Sequence, residues 1–191
     1  MRTLTIGLLG ALTLCSLSCA RPPLETLNGA AMFPNMRPQA RCRVERPAST
    51  LERGHVAVVA IGERLVARRV VGLPGDTVEL VKGLIHVNGV AIPRSVSRAE
   101  TTCGAGVSAR CVCQIVTEVH GGRDIKIQTL HPTDSGDDFR CDAAAPLSRP
   151  PIVVPDGHYY LVADNRDAAS DSRTLGPQKD VKGRVLTCRY D

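Results

Sequence analysis

Residues 65–76, LVARRVVGLPGD, constrain this chain more than any other stretch. Val66, Val70 and Val71 are β-branched or apolar strand formers that favour an extended backbone. Pro74 then fixes φ and Gly75 admits φ > 0, so the strand is stopped in a tight turn at Leu73-Pro74-Gly75-Asp76. A second β pattern, VELVKGLIHVNGV over residues 78–90, follows at once. Within it Lys82-Gly83 and Asn88-Gly89 both read as hairpin turns. Residues 41–44 and 55–61 read as strands around a polar loop at 45–54. Residues 112–119 and 125–129 read as a hairpin across Gly121-Gly122, and residues 159–162 and 184–189 as strands that close the sheet. After residue 20 no window carries sustained helical periodicity. The expected fold is mostly β, an antiparallel β-sheet or barrel domain.

The chain of 191 residues is 43% apolar, enough for one domain with a real core plus a targeting segment. Aromatics make up 3% and Trp is absent, so the core is Val, Leu, Ile and Ala. That composition argues against base-stacking nucleic-acid modules. A formal charge of +5 on scattered arginines reads as a solvated surface, and no nucleic-acid partner is expected.

Residues 1–20 carry Arg2, a Leu/Thr/Ala-rich run of about 14 to 16 residues, and then Ser18-Cys19-Ala20. The run is short for a spanning helix and suits a secretory signal cleaved after Ala20. Lipidation of Cys19 and retention as a membrane anchor are the two other readings. All three put the rest of the chain outside the cytoplasm, and membrane lipid is an expected partner. The organisation read is therefore residues 1–20 as signal or anchor and residues 21–191 as one β domain. Within the domain, residues at approximately 94–156 form a looser insert rich in Ser, Thr, Gly, Asp and Pro.

Six cysteines follow the leader: Cys42, Cys103, Cys111, Cys113, Cys141 and Cys188. In an oxidising compartment an even set reads as disulfides, with 15 pairings open. Cys103 with Cys111 or Cys113 would staple a short loop, and Cys42 with Cys188 would tie an early strand to the last one. A metal site is not expected, because the single-residue spacer of Cys111-x-Cys113 is poor for zinc and no His lies at a matching spacing. No cofactor is expected either.

The string RRVVGLPGD resembles the strand-and-turn motif of the type I signal peptidases, membrane-anchored serine endopeptidases that use a Ser/Lys dyad. HYYLVADNRDAASDSR, residues 158–173, resembles their G-D-N-R-D-N-S-x-D-S-R signature. Ala31-Met32-Phe33-Pro34-Asn35 is similar to S-M-x-P-T, and the three motifs stand in the family's order. The resemblance covers roughly residues 29–190. It implies a signal-peptidase-like β domain whose variable insert is often disulfide-bonded.

The resemblance also implies a site, and here several positions depart from it. Ala31 stands where the family has its nucleophilic Ser, and a methyl cannot form an acyl-enzyme. Arg68 stands where the family has its Lys base, and a guanidinium does not give up its proton. Gly29 matches a Ser that donates to the oxyanion in many members, Ala169 the Ser that holds the Lys, and Ala163 the Gly that opens the signature. No Ser or Thr lies between Thr26 and Ser49 to replace the nucleophile, and Lys82, Lys126, Lys179 and Lys182 lie outside the strand that would deliver the base. Ser170 is one place off register. Ala31 and Arg68 are expected to face each other across one shallow cleft.

What the motifs keep is charge. Arg69 with Asp164, and Asp171 with Arg173, match two ion pairs behind the family's site. Met32, Phe33, Pro34, Leu65, Val66 and Ala67 match positions where the family holds an extended peptide by β-augmentation. The leading expectation is a non-catalytic signal-peptidase homologue that binds signal-peptide-like or extended segments, or a secretion or processing partner, at the outer membrane face. The rivals are an active signal peptidase with a relocated nucleophile and a disulfide-stapled structural envelope domain.

Overall fold

The computed structural model describes residues 22–48, 50–101, 111–132, 148–167 and 170–189. In chain order the strands are β1 (Leu24–Leu27), β2 (Ala40–Glu45), β3 (Val56–Ile61), β4 (Arg64–Gly72), β5 (Thr77–Val81), β6 (Leu84–Val87) and β7 (Val90–Ala91). They continue as β8 (Arg94–Thr101), β9 (Cys111–His120), β10 (Arg123–Pro132), β11 (Arg149–Val153), β12 (Tyr160–Val162) and β13 (Val181–Arg189). Helical structure among the described residues is a 3-10 turn, Ala30–Met32, and one short helix, α1 (Ser172–Leu175). The strands form three antiparallel sheets, ordered β1-β2-β13-β3-β4-β12, β10-β9-β8 and β11-β5-β6-β7.

Turn chemistry fixes the registers. Type I′ hairpins need positive φ at both central residues. Lys82 and Gly83 have φ of 48° and 81°, Asn88 and Gly89 54° and 78°, and Gly121 and Gly122 57° and 77°. These turns close β5 on β6, β6 on β7 and β9 on β10. At the end of β4, Asp76 Oδ2 accepts from the Leu73 N–H at 2.6 Å and Asp76 Oδ1 from Asn88 Nδ2 at 2.9 Å. Burial works against the Asp76 charge, yet the Leu73 N–H, Asn88 and Arg53 together hold its carboxyl below the usual range. Gly72 is fixed by crowding: a Cβ there would lie 2.7 Å from Val78 Cγ2 and 2.9 Å from Tyr160 Cβ.

Small aliphatic side chains form the core. One cluster joins Leu27, Met32, Met36, Ala40, Cys42, Val44, Val58 and Ala67, and so packs the 3-10 turn against β2, β3 and β4. On the other face of the six-stranded sheet, Ala57, Val59, Val70 and Leu161 pack with Leu51. Cys42 and Cys188 are paired across β2 and β13 and joined by a disulfide. Cys113 is disulfide-bonded too. Cys103, Cys141 and the side chain of Cys111 lie outside the described residues.

Three strands were not in the sequence reading. The first, β1, pairs residue for residue with β2. The other two fall inside the range read as the insert: β8 pairs with β9, whereas β11 pairs with β5 and belongs to the four-stranded sheet. Residues 1–20 lie outside the description. Among the described residues no helix is long and apolar enough to cross a membrane.

Candidate functional site

Residues 164–173, between β12 and the end of α1, gather the three motifs into one place. Asp164 is fully buried and accepts from Arg69 through Nε at 3.0 Å and through Nη2. Arg69 Nη1 also donates to the Gly54 carbonyl at 2.6 Å, and Asn35 Nδ2 donates to Asp164 Oδ2 at 2.7 Å. Asp164 therefore ties β4 to the loop after the 3-10 turn. This is a charge-assisted, fork-shaped contact with little solvent to screen it.

Asp171 is the second anchor. Its carboxylate accepts from Arg173 Nε at 2.9 Å and Nη2 at 2.8 Å, from the Arg173 N–H at 2.9 Å and from the Ala163 N–H at 2.9 Å. Ala163 is fully buried, and its N–H is taken up by this contact. Asp171 also caps the first turn of α1. Arg173 Nη2 reaches the Arg166 carbonyl at 2.6 Å, and Ser172 Oγ accepts from the Leu161 N–H at 2.9 Å. Ala169 lies outside the described residues.

Ala31 and Arg68, expected from the resemblance to match the family's nucleophile and base, attach to opposite ends of this segment. The Ala31 carbonyl accepts from the Asn165 N–H at 3.0 Å. Arg68, 6% exposed, places Nη1 2.7 Å from the Ala67 carbonyl and Nη2 3.0 Å from the Ser170 carbonyl. Its Nε is buried without a partner among the described residues. Desolvation pulls the guanidinium's pKa down, the Asp171 charge opposes that and Arg173 adds to it. A cation held this way donates hydrogen bonds and has no lone pair with which to take a proton.

Gly29 shows how firmly the surrounding loop has closed. A Cβ there would sit 2.2 Å from the Arg37 carbonyl oxygen and 2.9 Å from Met36 Cβ. A serine hydroxyl cannot be carried at this position unless the 29–37 loop shifts. Of the positions that the family resemblance assigns to peptide binding, Met32 and Ala67 are fully buried in the core cluster. Phe33, Pro34 and Val66 are partly buried, while Leu65 is 47% exposed. On the side away from β3, β4 pairs with β12 only through Arg69, Val70 and Gly72. Over Arg64–Arg68 that edge has no strand partner among the described residues.

The sequence reading missed what holds the insert to the site. The Gln128 N–H donates to the Asp164 carbonyl and the Arg166 N–H to the Gln128 carbonyl, both at 2.9 Å, so β10 and the signature segment meet in one isolated parallel bridge at Gln128 and Asn165. The Leu130 N–H donates to Asp167 Oδ2 at 2.7 Å, and Asn35 Nδ2 reaches the Lys126 carbonyl at 2.6 Å. Beneath them Glu118, 4% exposed, meets Arg166 at 2.5 Å and His120 Nε2 at 2.9 Å. Burial pushes the Glu118 carboxyl up, but Arg166, His120 and Arg94 outweigh it and hold it at about 2. One signal was present in the sequence: Val116, Glu118 and His120 alternate on the inward face of β9, which sets a carboxylate where a strand buries its residues. Among the described residues no group of three or more His, Cys, Asp or Glu side chains is placed to hold a metal ion.

Comparison with known proteins agrees with these motifs. Signal peptidase I S of Bacillus subtilis (strain 168) is 25% identical over 163 residues, which cover 82% of this chain and 71% of that protein. Signal peptidase I of Rickettsia typhi is 26% identical over 128 residues, covering 64% of this chain; the match spans 44% of that protein. A crystal structure of a signal peptidase I from Enterococcus faecalis V583 aligns with 73% of this chain and 99% of that one, at 23% identity and a TM-score of 0.38. The family model described as signal peptidase, peptidase S26, matches residues 3–189, and the chain belongs to that family.

Proposed function

We propose that this protein is a signal-peptidase homologue that binds extended, signal-peptide-like segments without cutting them, on the outer face of a membrane. Residues 1–20 serve as its targeting or anchoring segment and residues 21–191 as its binding domain. One observation carries the reading: at the base position stands a buried guanidinium whose donors go to the Ala67 and Ser170 carbonyls, beside a turn whose nucleophile position is a methyl. Among the described residues neither group can activate a hydroxyl. The disulfide at Cys42 supports it further by removing the one thiol that the sequence places between Thr26 and Ser49. The unpaired edge of β4 supports the binding half, because it offers backbone groups for an added strand.

The test is cleavage of a preprotein carrying an A-x-A site by the purified chain against a buffer blank. No cleavage is expected, and Ala31→Ser alone does not create it. General-base assistance is worth about 10²–10⁴-fold, so Ala31→Ser with Arg68→Lys recovers more, and adding Ala169→Ser, which the family resemblance pairs with the Lys, recovers most. Cleavage by the unmodified chain, abolished by changing one other residue, overturns the proposal and makes this a peptidase with a relocated nucleophile.

A further inference from the structure

The outward face of β2 and β13 gathers three arginines. Cys42 and Val44 belong to the core cluster, so the alternation of a strand turns Arg41 and Arg43 to the other face. Register then decides their neighbours. Arg189 of β13 stands directly opposite Arg41 and Thr187 directly opposite Arg43, while Thr26 and Leu24 of β1 flank the two arginines on the other side. The carboxylates carried by β1 and β2 are engaged by other arginines: Glu25 meets Arg46, and Glu45 meets Arg184 at 3.0 Å. Arg41 and Arg189 are both exposed, and like charges set directly opposite one another in a sheet repel. A face built this way gains when an anion comes to it.

The path of the chain points to the kind of anion. Arg43 Nη1 donates to the Pro22 carbonyl at 2.6 Å, so the place where residues 1–20 join the domain is fastened to this face. Five residues lead from Leu17, the end of the apolar run, to Pro22, a reach of about 17 Å even when fully extended. The polar layer on each side of a bilayer's hydrocarbon core is about 5–8 Å deep. With the apolar run at the hydrocarbon, Arg43 therefore stands in or just above a layer of phosphates. Leu186, 47% exposed in the bulge of β13 between Val185 and Thr187, brings an apolar side chain to the same strand.

We infer that the face formed by Arg41, Arg43 and Arg189 docks on the anionic phospholipid headgroups of the membrane that residues 1–20 address. The partner is a lipid surface, and the group recognised is its phosphate, whose oxygens accept forked, charge-assisted hydrogen bonds from guanidinium. Thr26 and Thr187, both exposed, keep the side chains between the arginines short, so a headgroup reaches them without obstruction. The contact fixes which side of the domain looks at the membrane, a choice that a link of a few residues leaves open.

This inference rests on the proposed placement at a membrane face and is independent of whether the chain cuts, and one experiment separates their failures. The full chain is incorporated into vesicles of phosphatidylcholine alone and of phosphatidylcholine mixed equally with phosphatidylglycerol. Labelling by phenylglyoxal is then read at each arginine by mass spectrometry. Arg43 and Arg189 are expected to label about fivefold more slowly in the anionic vesicles, the worth of one cation at such a surface. Arg64, exposed on β4 three strands away, labels equally in both. At about 1 M salt, where the screening length is about 3 Å, the difference disappears. Thr187→Glu sets a carboxylate opposite Arg43 and abolishes the protection, whereas Thr187→Gln keeps it. Equal labelling of Arg43 and Arg189 in the two vesicles overturns the inference and leaves the membrane placement standing, as does a difference that survives Thr187→Glu. Protection that is already present in neutral detergent and grows with protein concentration assigns the face to a second copy of the chain and overturns it too. A chain that enters neither vesicle overturns both.

Discussion

Arg68 and Arg69 are neighbours in β4, 6% and 5% exposed, and differ only in what their guanidinium groups meet. Arg69 faces Asp164, which Asn35 also contacts, in a closed set of partners that spans β4, the first motif and the signature. Arg68 faces two backbone carbonyls and has a buried Nε with no acceptor. The first arrangement is what a fold needs: a buried charge is tolerable when a counter-charge and hydrogen bonds surround it. The second leaves a buried cation held by hydrogen bonds to backbone carbonyls alone. Side by side, the two arginines separate the part of the motif that builds the domain from the part that the family uses for chemistry.

The comparison is broken most directly at Asp164. Asp164→Asn leaves Arg69 buried with no counter-charge and is expected to cost about 3–5 kcal/mol. At about 2–4 °C per kcal/mol for a chain of this size, the melting temperature falls by roughly 6–20 °C. A melting temperature within about 2 °C of the unmodified chain would show that Arg69–Asp164 is no more structural than Arg68, and the separation would collapse.

Glu118 tests whether the closed network extends into the insert. Its carboxyl is held at about 2, below its ordinary 4.5, so its contribution to stability is complete above pH 4.5 and is lost as pH falls towards 2. The loss is on the order of 2 kcal/mol. Urea unfolding between pH 5 and pH 2.5 should show it as a fall in stability that Glu118→Gln lacks. Parallel curves for the two proteins would detach the insert from the scaffold.

Gly29 lies on the other side of the comparison. Returning the family's residue, Gly29→Ser, forces a Cβ to within 2.2 Å of the Arg37 carbonyl and is expected to destabilise by about 1–3 kcal/mol. A Ser that fits without loss, read from the midpoint of denaturation, would mean that the loop still has room for an oxyanion donor.

How far these features were legible follows from how local their causes are. Lys82-Gly83, Asn88-Gly89 and Gly121-Gly122 announce their hairpins because positive φ is a demand made by single residues. Arg149–Val153 hid its strand because Pro150 and Pro151 lack the N–H of a ladder; the register shift against β5 between Arg149 and Ile152 is where they sit. Leu24–Leu27 has no strong alternation and becomes a strand because β2 is beside it. Around the site, the motifs pointed to Ala31, Arg68 and the charged residues, whereas Asn35, Gln128 and Glu118 needed the fold. Asn35 and Asp164 lie 129 residues apart, Glu118 and Arg166 48, and Gln128 bonds to the backbone of Asp164 and Arg166, separations over which no sequence pattern speaks.

The smallest effect is the sharpest test. Arg68→Met removes a buried charge that no carboxylate holds directly and keeps an unbranched, polarizable side chain of similar reach. Two opposing terms are in play. The Ala67 and Ser170 carbonyls lose a donor, each worth about 0.5–1.5 kcal/mol, but Ser170 is exposed and water replaces its partner. Against that, a desolvated guanidinium with an unmet Nε disappears, and exchanging a poorly compensated buried ion for an apolar group is often neutral or stabilising. Asp171 keeps Arg173 and the Ala163 N–H, so its own charge is not left bare. The net change is expected within about 1 kcal/mol, or a shift in melting temperature of about 2–4 °C at most. The same substitution at the neighbouring position, Arg69→Met, uncovers Asp164 and lowers the melting temperature several times further. Equal losses at the two positions would mean that Arg68 is as much a part of the scaffold as Arg69, and the contrast between the two arginines would disappear.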